Sequence, residues 1–513
     1  MKVSRTRIAL LVLIWTATIF PAFANGTFCV NGFIYKALKD SSSLALTGYQ
    51  TFHDADYSQP LHIPATVMYK GKAYSVKRIE SEAFKGQTEI QSIIVEEGIE
   101  MIGANVFEHC TNLKSVYIPA SVESIKEGLF GSCYNLTSVV VATNNEIYDS
   151  RDASNAIIDS ETDELLVACS STQIPPSVKS IGDFAFYHCN TMEELVVPEG
   201  VERIGNFAFF GCSNLKKICL PKSLTELGAD VFQGCNSLVS INIPKNVAKI
   251  GNGNIFAGCN NLTSVQVDGA NPNYDSRSNC NGIVRKSDSA LIATCRTTQI
   301  SSDISILGDY CFDGTIIHSV RIPESVVNVS TNAFSGCNEI DEIIVSPNNP
   351  KYISPKGSNA LLTKDGKTLL LGCRTTVIPN GVEKIEYNAF MGRYSKLMLR
   401  IPNTIKEIGA FAFSHCNVLH EVIVPQSVQS IGPYAFEGCT NLVAVQIPSS
   451  VKKIDISTFS NCYNLSTVSL TEGLEEIARH AFLNCKSLKH IYLPASVTKV
   501  DNSAFENSPI AEK

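Results

Sequence analysis

The sequence predicts a β-rich solenoid built of coils about 23 residues long, and three observations predict it. A marker phenylalanine recurs at Phe84, Phe107, Phe130, Phe186, Phe209, Phe232, Phe256, Phe312, Phe334, Phe390, Phe413, Phe436, Phe459, Phe482 and Phe505. Most of its steps are 23 residues, with one of 24, one of 22 and three of 56, and a period in the twenties marks stacked coils. A cysteine follows most of these phenylalanines three residues later. Beyond the cysteine comes a short apolar run whose inward positions alternate, as in a strand with one buried face.

The first residues carry Lys2, Arg5 and Arg7, the apolar run Ile8 to Phe20, and Ala22-Phe23-Ala24. A charged start, a short apolar stretch and a small-x-small site are those of a secretory signal peptide, assigned to residues 1–24. Thirteen apolar residues are too few to span a bilayer as a helix. Cleavage removes three cations and no anion, so the formal charge moves from −7 to −10. That balance argues against nucleic acid and anionic membrane as partners. Cleavage also removes Trp15, the only tryptophan. The expected location is outside the cytoplasm: secreted, on the cell surface or periplasmic.

Residues 25–78 lack the period and are expected to form an N-terminal β cap. Phe28 to Ala37 and Met68 to Val76 are its apolar stretches, with turns at Asn31-Gly32 and Lys70-Gly71. A solenoid needs such a cap because an open end exposes both core and strand edge. From residue 79 to 513 the period runs without a compositional break, which makes one elongated domain.

One coil shows the physics. Leu442, Val445 and Ile447 face inward from a strand that Pro448 ends, because proline has no amide to donate. Val451 and Ile454 supply a second inward stretch, and Phe436 fills the far side. No coil buries these residues alone; stacking does. Roughly 18 layers spaced about 4.8 Å predict a rod on the order of 85 Å long, with a long face and no deep pocket.

The three 56-residue steps hold insertions near 142–174, 268–300 and 346–378. They share Tyr148, Tyr274 and Tyr352, then Asn155-Ala156, Asn281-Gly282 and Asn359-Ala360, and then hairpin-like apolar pairs. The pair is clearest from Leu361 to Leu371, around Asp365-Gly366. Cys169, Cys295 and Cys373 close them.

Eighteen cysteines in an exported chain invite a disulfide framework. Eleven of them hold the coil position, however, and parallel side chains in a ladder oppose the torsion a disulfide needs. Buried free thiols are therefore expected there. A ladder does not converge on a point and no C-x-x-C pair exists, so no metal is expected. Cys219 differs, since it takes an outward strand position.

Metalloprotease, nucleophile-elbow and phosphate-loop motifs are lacking, so neither an enzymatic activity nor a cofactor is expected. His109, His188 and His415 precede ladder cysteines but occupy a corner slot that glycine holds elsewhere. Asn135, Asn261 and Asn464 match N-x-S/T through the repeat grammar alone.

The string A-F-x-G-C-x-x-L-x-x-V-x-I-P-x-S-V-x-x-I-G, seen from Ala208 to Gly228 and from Ala412 to Gly432, resembles the BspA-like leucine-rich repeats. The resemblance covers nearly all of the mature chain and implies a leucine-rich-repeat solenoid of short parallel strands. It also implies a secreted or surface protein of the kind that binds matrix proteins or other cells, and it brings no catalytic motif. The chain departs from the pattern at Gln87, Thr315, Arg393 and Ser508, which stand where the coil cysteine is expected.

Binding is then expected on the outward strand positions, which vary while the core repeats. The candidate face comprises Tyr117, Glu194, Lys217, Asn242, Gln266, Arg321, Glu342, Arg400, Glu421, Gln446, His490 and Tyr492, with Met398 beside Arg400. The strip is small, neutral and mildly apolar, which suits an extended protein surface or another chain's strand. The expected role is adhesin-like attachment to a protein or cell surface. The alternative is a glycan-binding accessory of the cell envelope, and it requires Tyr148, Tyr274 and Tyr352 to stand exposed on the insertions.

Overall fold

A computed structural model describes residues 26–39, 43–52, 56–393 and 400–510. The expected signal peptide at 1–24 lies outside the described residues, and so does Met398. Among the described residues no helix is long and apolar enough to cross a membrane.

The predicted solenoid is present. Each regular coil has a front strand, a proline-headed turn, a two-residue lateral strand and a tight corner. Front strands stack in parallel with a one-coil register: Ser92 faces Ser115, and Ser115 faces Ser138. The lateral strands do the same from Arg78 to Met101 to Ser124. In the turn between them the proline carbonyl accepts from the valine three residues on, as in Val451 N to Pro448 O at 3.1 Å. The period-two pattern therefore buries Val116 and Ile118 while Ser115 and Tyr117 face outward.

The core is a column of rings and aliphatic side chains. Phe413, Phe436, Phe459 and Phe482 are fully buried, and their rings stack at 5.2–5.4 Å between centroids. Burying one such side chain contributes about 1.5–3 kcal/mol, and only the neighbouring coils provide the cover. The corner reverses the chain with left-handed backbone two residues before and two residues after the marker ring. His109, His188 and His415 have φ of 60°, 55° and 58°, matching Gly211 and Gly438 at 71° and 66°. Their slot is thus set by backbone geometry. His109 and His415 are exposed, whereas His188 is half-buried against Tyr187 and Phe210.

The ladder cysteines have a definite job. The Sγ of Cys212, Cys235, Cys439 and Cys462 donates to the carbonyl of Phe186, Phe209, Phe413 and Phe436 at 3.1–3.2 Å, each time one coil back. Burial pushes the thiols of Cys110, Cys212 and Cys485 up to about 12, so they remain protonated donors at neutral pH. Residues that replace cysteine keep hydrogen-bonding groups there. Ser508 Oγ reaches Phe482 O at 2.6 Å and Gln87 Nε2 reaches Tyr49 O at 3.0 Å. Arg393, 4% exposed, donates to Cys337 O at 2.7 Å and Phe334 O at 3.3 Å, and burial pulls its pKa down.

The insertions share one architecture. In the first, Tyr148–Asp149, Ala156–Asp159 and Glu164–Ala168 pair antiparallel, and the last strand joins the lateral sheet beside Ser180–Ile181. The third repeats this with Tyr352–Ile353, Leu361–Thr363 and Thr368–Leu371. A buried asparagine clamps each entry. Asn349 Nδ2 donates to Pro323 O and Val326 O, and its Oδ1 accepts from the amides of Lys351 and Tyr352. Asn145 and Asn271 do the same in the other two. An insertion continues the lateral sheet but builds no corner of its own. Corners 56 residues apart therefore meet directly, as in Asn388 Nδ2 to Asn332 Oδ1 at 2.8 Å.

At the N-terminal end, Thr27–Val30, Phe33–Ala37 and Ser43–Tyr49 form an antiparallel unit that continues through Lys72–Ile79 into the lateral sheet. Leu61–Ile63 stacks on Ser92–Val95. Tyr49 lies on the ring of Phe84 at 5.5 Å, which covers the first marker ring.

Candidate binding face

The outward strand positions lie along one side of the rod, among the described residues in five hydrogen-bonded blocks where the sequence suggested one strip. The blocks hold four, two, two, two and three front strands. Tyr117 belongs to the first, between Ile94 and Val140. Glu194 faces Lys217 directly in the second, which places opposite charges side by side. Asn242 faces Gln266 in the third. In the fourth, Arg321 Nη2 approaches Glu342 Oε2 at 3.5 Å, and Ser319 Oγ donates to the same oxygen at 3.0 Å. These contacts leave Glu342 half-buried. Glu421 and Gln446 belong to the fifth.

Three candidates depart from the expectation. Arg400 is exposed but not in a strand. His490 and Tyr492 are exposed, Tyr492 at 73%, yet residues 489–493 form no strand. Their inward neighbour Ile491 is only half-buried, because among the described residues no further coil packs over it. The paired face therefore ends with Thr467–Ser469.

Apolar outward residues stand between the polar ones: Val196, Ile423 and Tyr117 are all exposed. Cys219 faces outward opposite Val196. Arg321 also borders a hollow of about 440 Å³ with Thr298, Gln299, Phe312 and Ile317, at the junction with the second insertion. The face therefore carries an open hollow at this junction.

The insertion tyrosines are buried. Tyr148, Tyr274 and Tyr352 are 6%, 6% and 8% exposed. The hydroxyls of Tyr148 and Tyr352 accept from the amides of Ile125 and Val329 in the preceding coil. Among the described residues no three His, Cys, Asp or Glu side chains group as metal ligands.

The sequence reading missed a second row of aromatics, on the corner surface. Phe184 stacks on Phe207 at 5.0 Å, Tyr187 on Phe210 at 5.4 Å and Phe411 on Tyr434 at 4.6 Å. All are half-exposed. The signal was present as an aromatic two residues before, or one after, the marker phenylalanine. The same corner holds Asp313, whose carboxyl is pushed up to about 6, first by burial and then by Asp230 nearby. A carboxyl whose folded pKa is raised loses stability as pH climbs from its unfolded value, about 3.9, through about 6. Asp313→Asn is expected to leave the melting temperature unchanged at pH 4. At pH 7.5 it is expected to raise stability by about 1 kcal/mol, after allowance for solvent screening. Thermal melts at the two pH values check this, and equal effects at both would remove Asp313 as the cause.

Fold and face together define a parallel β-solenoid with an exposed, segmented strand surface. The chain belongs to the family described as BspA type leucine rich repeat region, which matches residues 71–161, 164–281, 292–359 and 383–511. Among solved structures it is similar to a leucine rich cell surface protein from Faecalibacterium prausnitzii A2-165, with 23% identity over 86% of this chain and 94% of that one, TM-score 0.37. It is also similar to a leucine-rich repeat protein from Bacteroides ovatus, with 24% identity over 91% and 95%, TM-score 0.33. The pneumococcal vaccine antigen PcpA shares 16% identity over 95% and 99%, TM-score 0.35. No curated protein matches the chain.

Proposed function

We propose that this chain is an exported bacterial repeat protein that binds another protein or a cell surface through its front strands, without catalysis. The observation that carries the reading is the segmented face itself. Its outward residues are exposed or half-buried, uncharged or charge-balanced, and interspersed with bare valine, isoleucine and tyrosine side chains. Such a surface suits a broad protein contact, in which a few aromatic and arginine anchors dominate the energy. The insertions do not supply a glycan platform, since their three tyrosines are occupied with packing.

The test is immobilised mature chain, residues 25–513, against purified extracellular-matrix proteins and neutral polysaccharides. Saturable capture of a protein, weakened at least about tenfold in the combined variant Tyr117→Ala, Arg321→Ala and Arg400→Ala, is the expected result. Capture that ignores those substitutions, or that is confined to polysaccharide, would remove the front face from the mechanism.

A further inference from the structure

At the second insertion the front sheet breaks, and the two sides of the break are finished differently. The outgoing side is sealed. Thr297 Oγ1 donates to Thr263 O at 2.8 Å and Ser276 Oγ to Val265 O at 3.4 Å. Hydroxyls of the insertion thus take carbonyls at the strand Ser264–Val267 that would otherwise receive the next coil.

The incoming side is bare. Among the described residues, Ser319–Ile322 pairs only with Glu342–Val345. His318 O accepts from Asp341 N at 2.8 Å and Ile322 O from Ser346 N at 2.9 Å. Bonding to one neighbour alternates along a parallel strand, so the backbone groups of Ser319 and Arg321 point the other way, toward the break. In unbroken stacks the residue at the place of Ser319 spends its amide on the preceding coil. Glu342 N reaches His318 O and Thr467 N reaches Val443 O, both at 3.1 Å. The carbonyl that corresponds for Ser319 is Thr263 O, which Thr297 holds.

The hollow of about 440 Å³ runs along this edge. Ser319, Val320 and Arg321 line one side and residues 298–300 the other, with the buried Phe312 and Ile317 beneath. The link from ring to strand is also short here: Ile317 follows Phe312 by five residues, where Leu442 follows Phe436 by six. Ile316, 41% exposed, stands where that link elsewhere carries an asparagine such as Asn441, whose side chain reaches back to Asn417 O.

These walls select an occupant. An extended backbone offers donors and acceptors at the same two-residue repeat as the bare edge. Its inward side chains meet Phe312, Ile317 and Val320, which suits valine, isoleucine or threonine. Its outward side chains pass Arg321, whose side chain is 71% exposed and meets Glu342 Oε2 only at 3.5 Å, so a carboxylate there gains a partner. We propose that this edge receives one extended segment of a partner protein, added as a strand beside Ser319–Ile322, with β-branched residues over the hollow and an acidic residue beside Arg321. This rests on the front-strand reading and says how the partner is gripped.

The test pans a displayed library of random dodecapeptides on the mature chain and measures the selected peptides, resynthesised with a fluorophore, by polarisation. The expected result is saturable binding of peptides that alternate β-branched residues and carry an acid. Binding should weaken at least about tenfold with Ser319→Pro, which deletes an amide facing the break, and with Gln299→Trp, which crowds the hollow. It should weaken likewise when alternate peptide nitrogens are methylated in one register but not in the other, and stay unchanged with Tyr117→Ala. Gln299 is exposed and outside the strands, so Gln299→Trp keeps the test intact even where Ser319→Pro disturbs the sheet. Absence of any saturable peptide, or binding indifferent to Gln299→Trp or to methylation in both registers, overturns the proposal. The front-strand reading falls separately, only when protein capture ignores the combined Tyr117, Arg321 and Arg400 variant.

Discussion

Phe436→Ala is expected to lower stability by about 3–5 kcal/mol and to split unfolding into two transitions. The ring is fully buried and lies between Phe413 at 5.2 Å and Phe459 at 5.4 Å. Its removal therefore empties one layer and strips a contact from each neighbour. In a globular core the surroundings partly collapse into such a void. Here the backbone bonds of adjacent corners, such as Phe436 N to Thr458 O at 2.9 Å, hold the layers at their spacing and resist collapse. Because coils touch only their neighbours, the weakened layer becomes a hinge between independently melting halves. Urea denaturation with hydrogen exchange read by peptide is the measurement. A single transition displaced by less than about 1 kcal/mol would show that the ring column does not carry the coupling.

Asn271→Ala is expected to cost about 3–4 kcal/mol, and Asn271→Asp a comparable amount. The side-chain amide uses all four of its capacities. Nδ2 donates to Pro244 O and Val247 O at 3.0 Å, and Oδ1 accepts from Asn273 N at 2.8 Å and Tyr274 N at 2.9 Å. Alanine leaves the Val247 carbonyl and two amides without that partner, while Pro244 O keeps only the amide of Val247. Aspartate keeps the amide bonds but turns a carboxylate oxygen toward the two carbonyls. If the residue were only a spacer, the aspartate variant would fold as well as wild type. Equilibrium denaturation of both variants distinguishes these cases, and exchange should rise first in the strands Gly282–Arg285 and Ala290–Thr294.

These two sites also show what was legible in the sequence. The ring column was legible because a large apolar residue at fixed period has one physical use, and the structure buries every ring from Phe413 to Phe482. The family pattern was legible for the same reason. The asparagine clamp was not, because an asparagine before Pro272 or Pro350 looks like an ordinary turn residue. Only the fold shows that the amide reaches back one coil. The outer aromatics were hidden too, since Phe207 and Phe210 flank a core position and look like further core. The left-handed corner rotates them outward. The candidate face was readable where front strands pair. The expected strand is absent at His490 and Tyr492, where alternation alone does not supply a packing partner.

The thiol ladder has a use beyond the fold. With Cys219 the one exposed cysteine among those described, and most coils holding their own buried thiol, the chain is a barcode of its own opening. An alkylating reagent added during mild denaturation would tag each buried cysteine only when its layer separates. Digestion and mass spectrometry would then report the order in which layers part, without any introduced label.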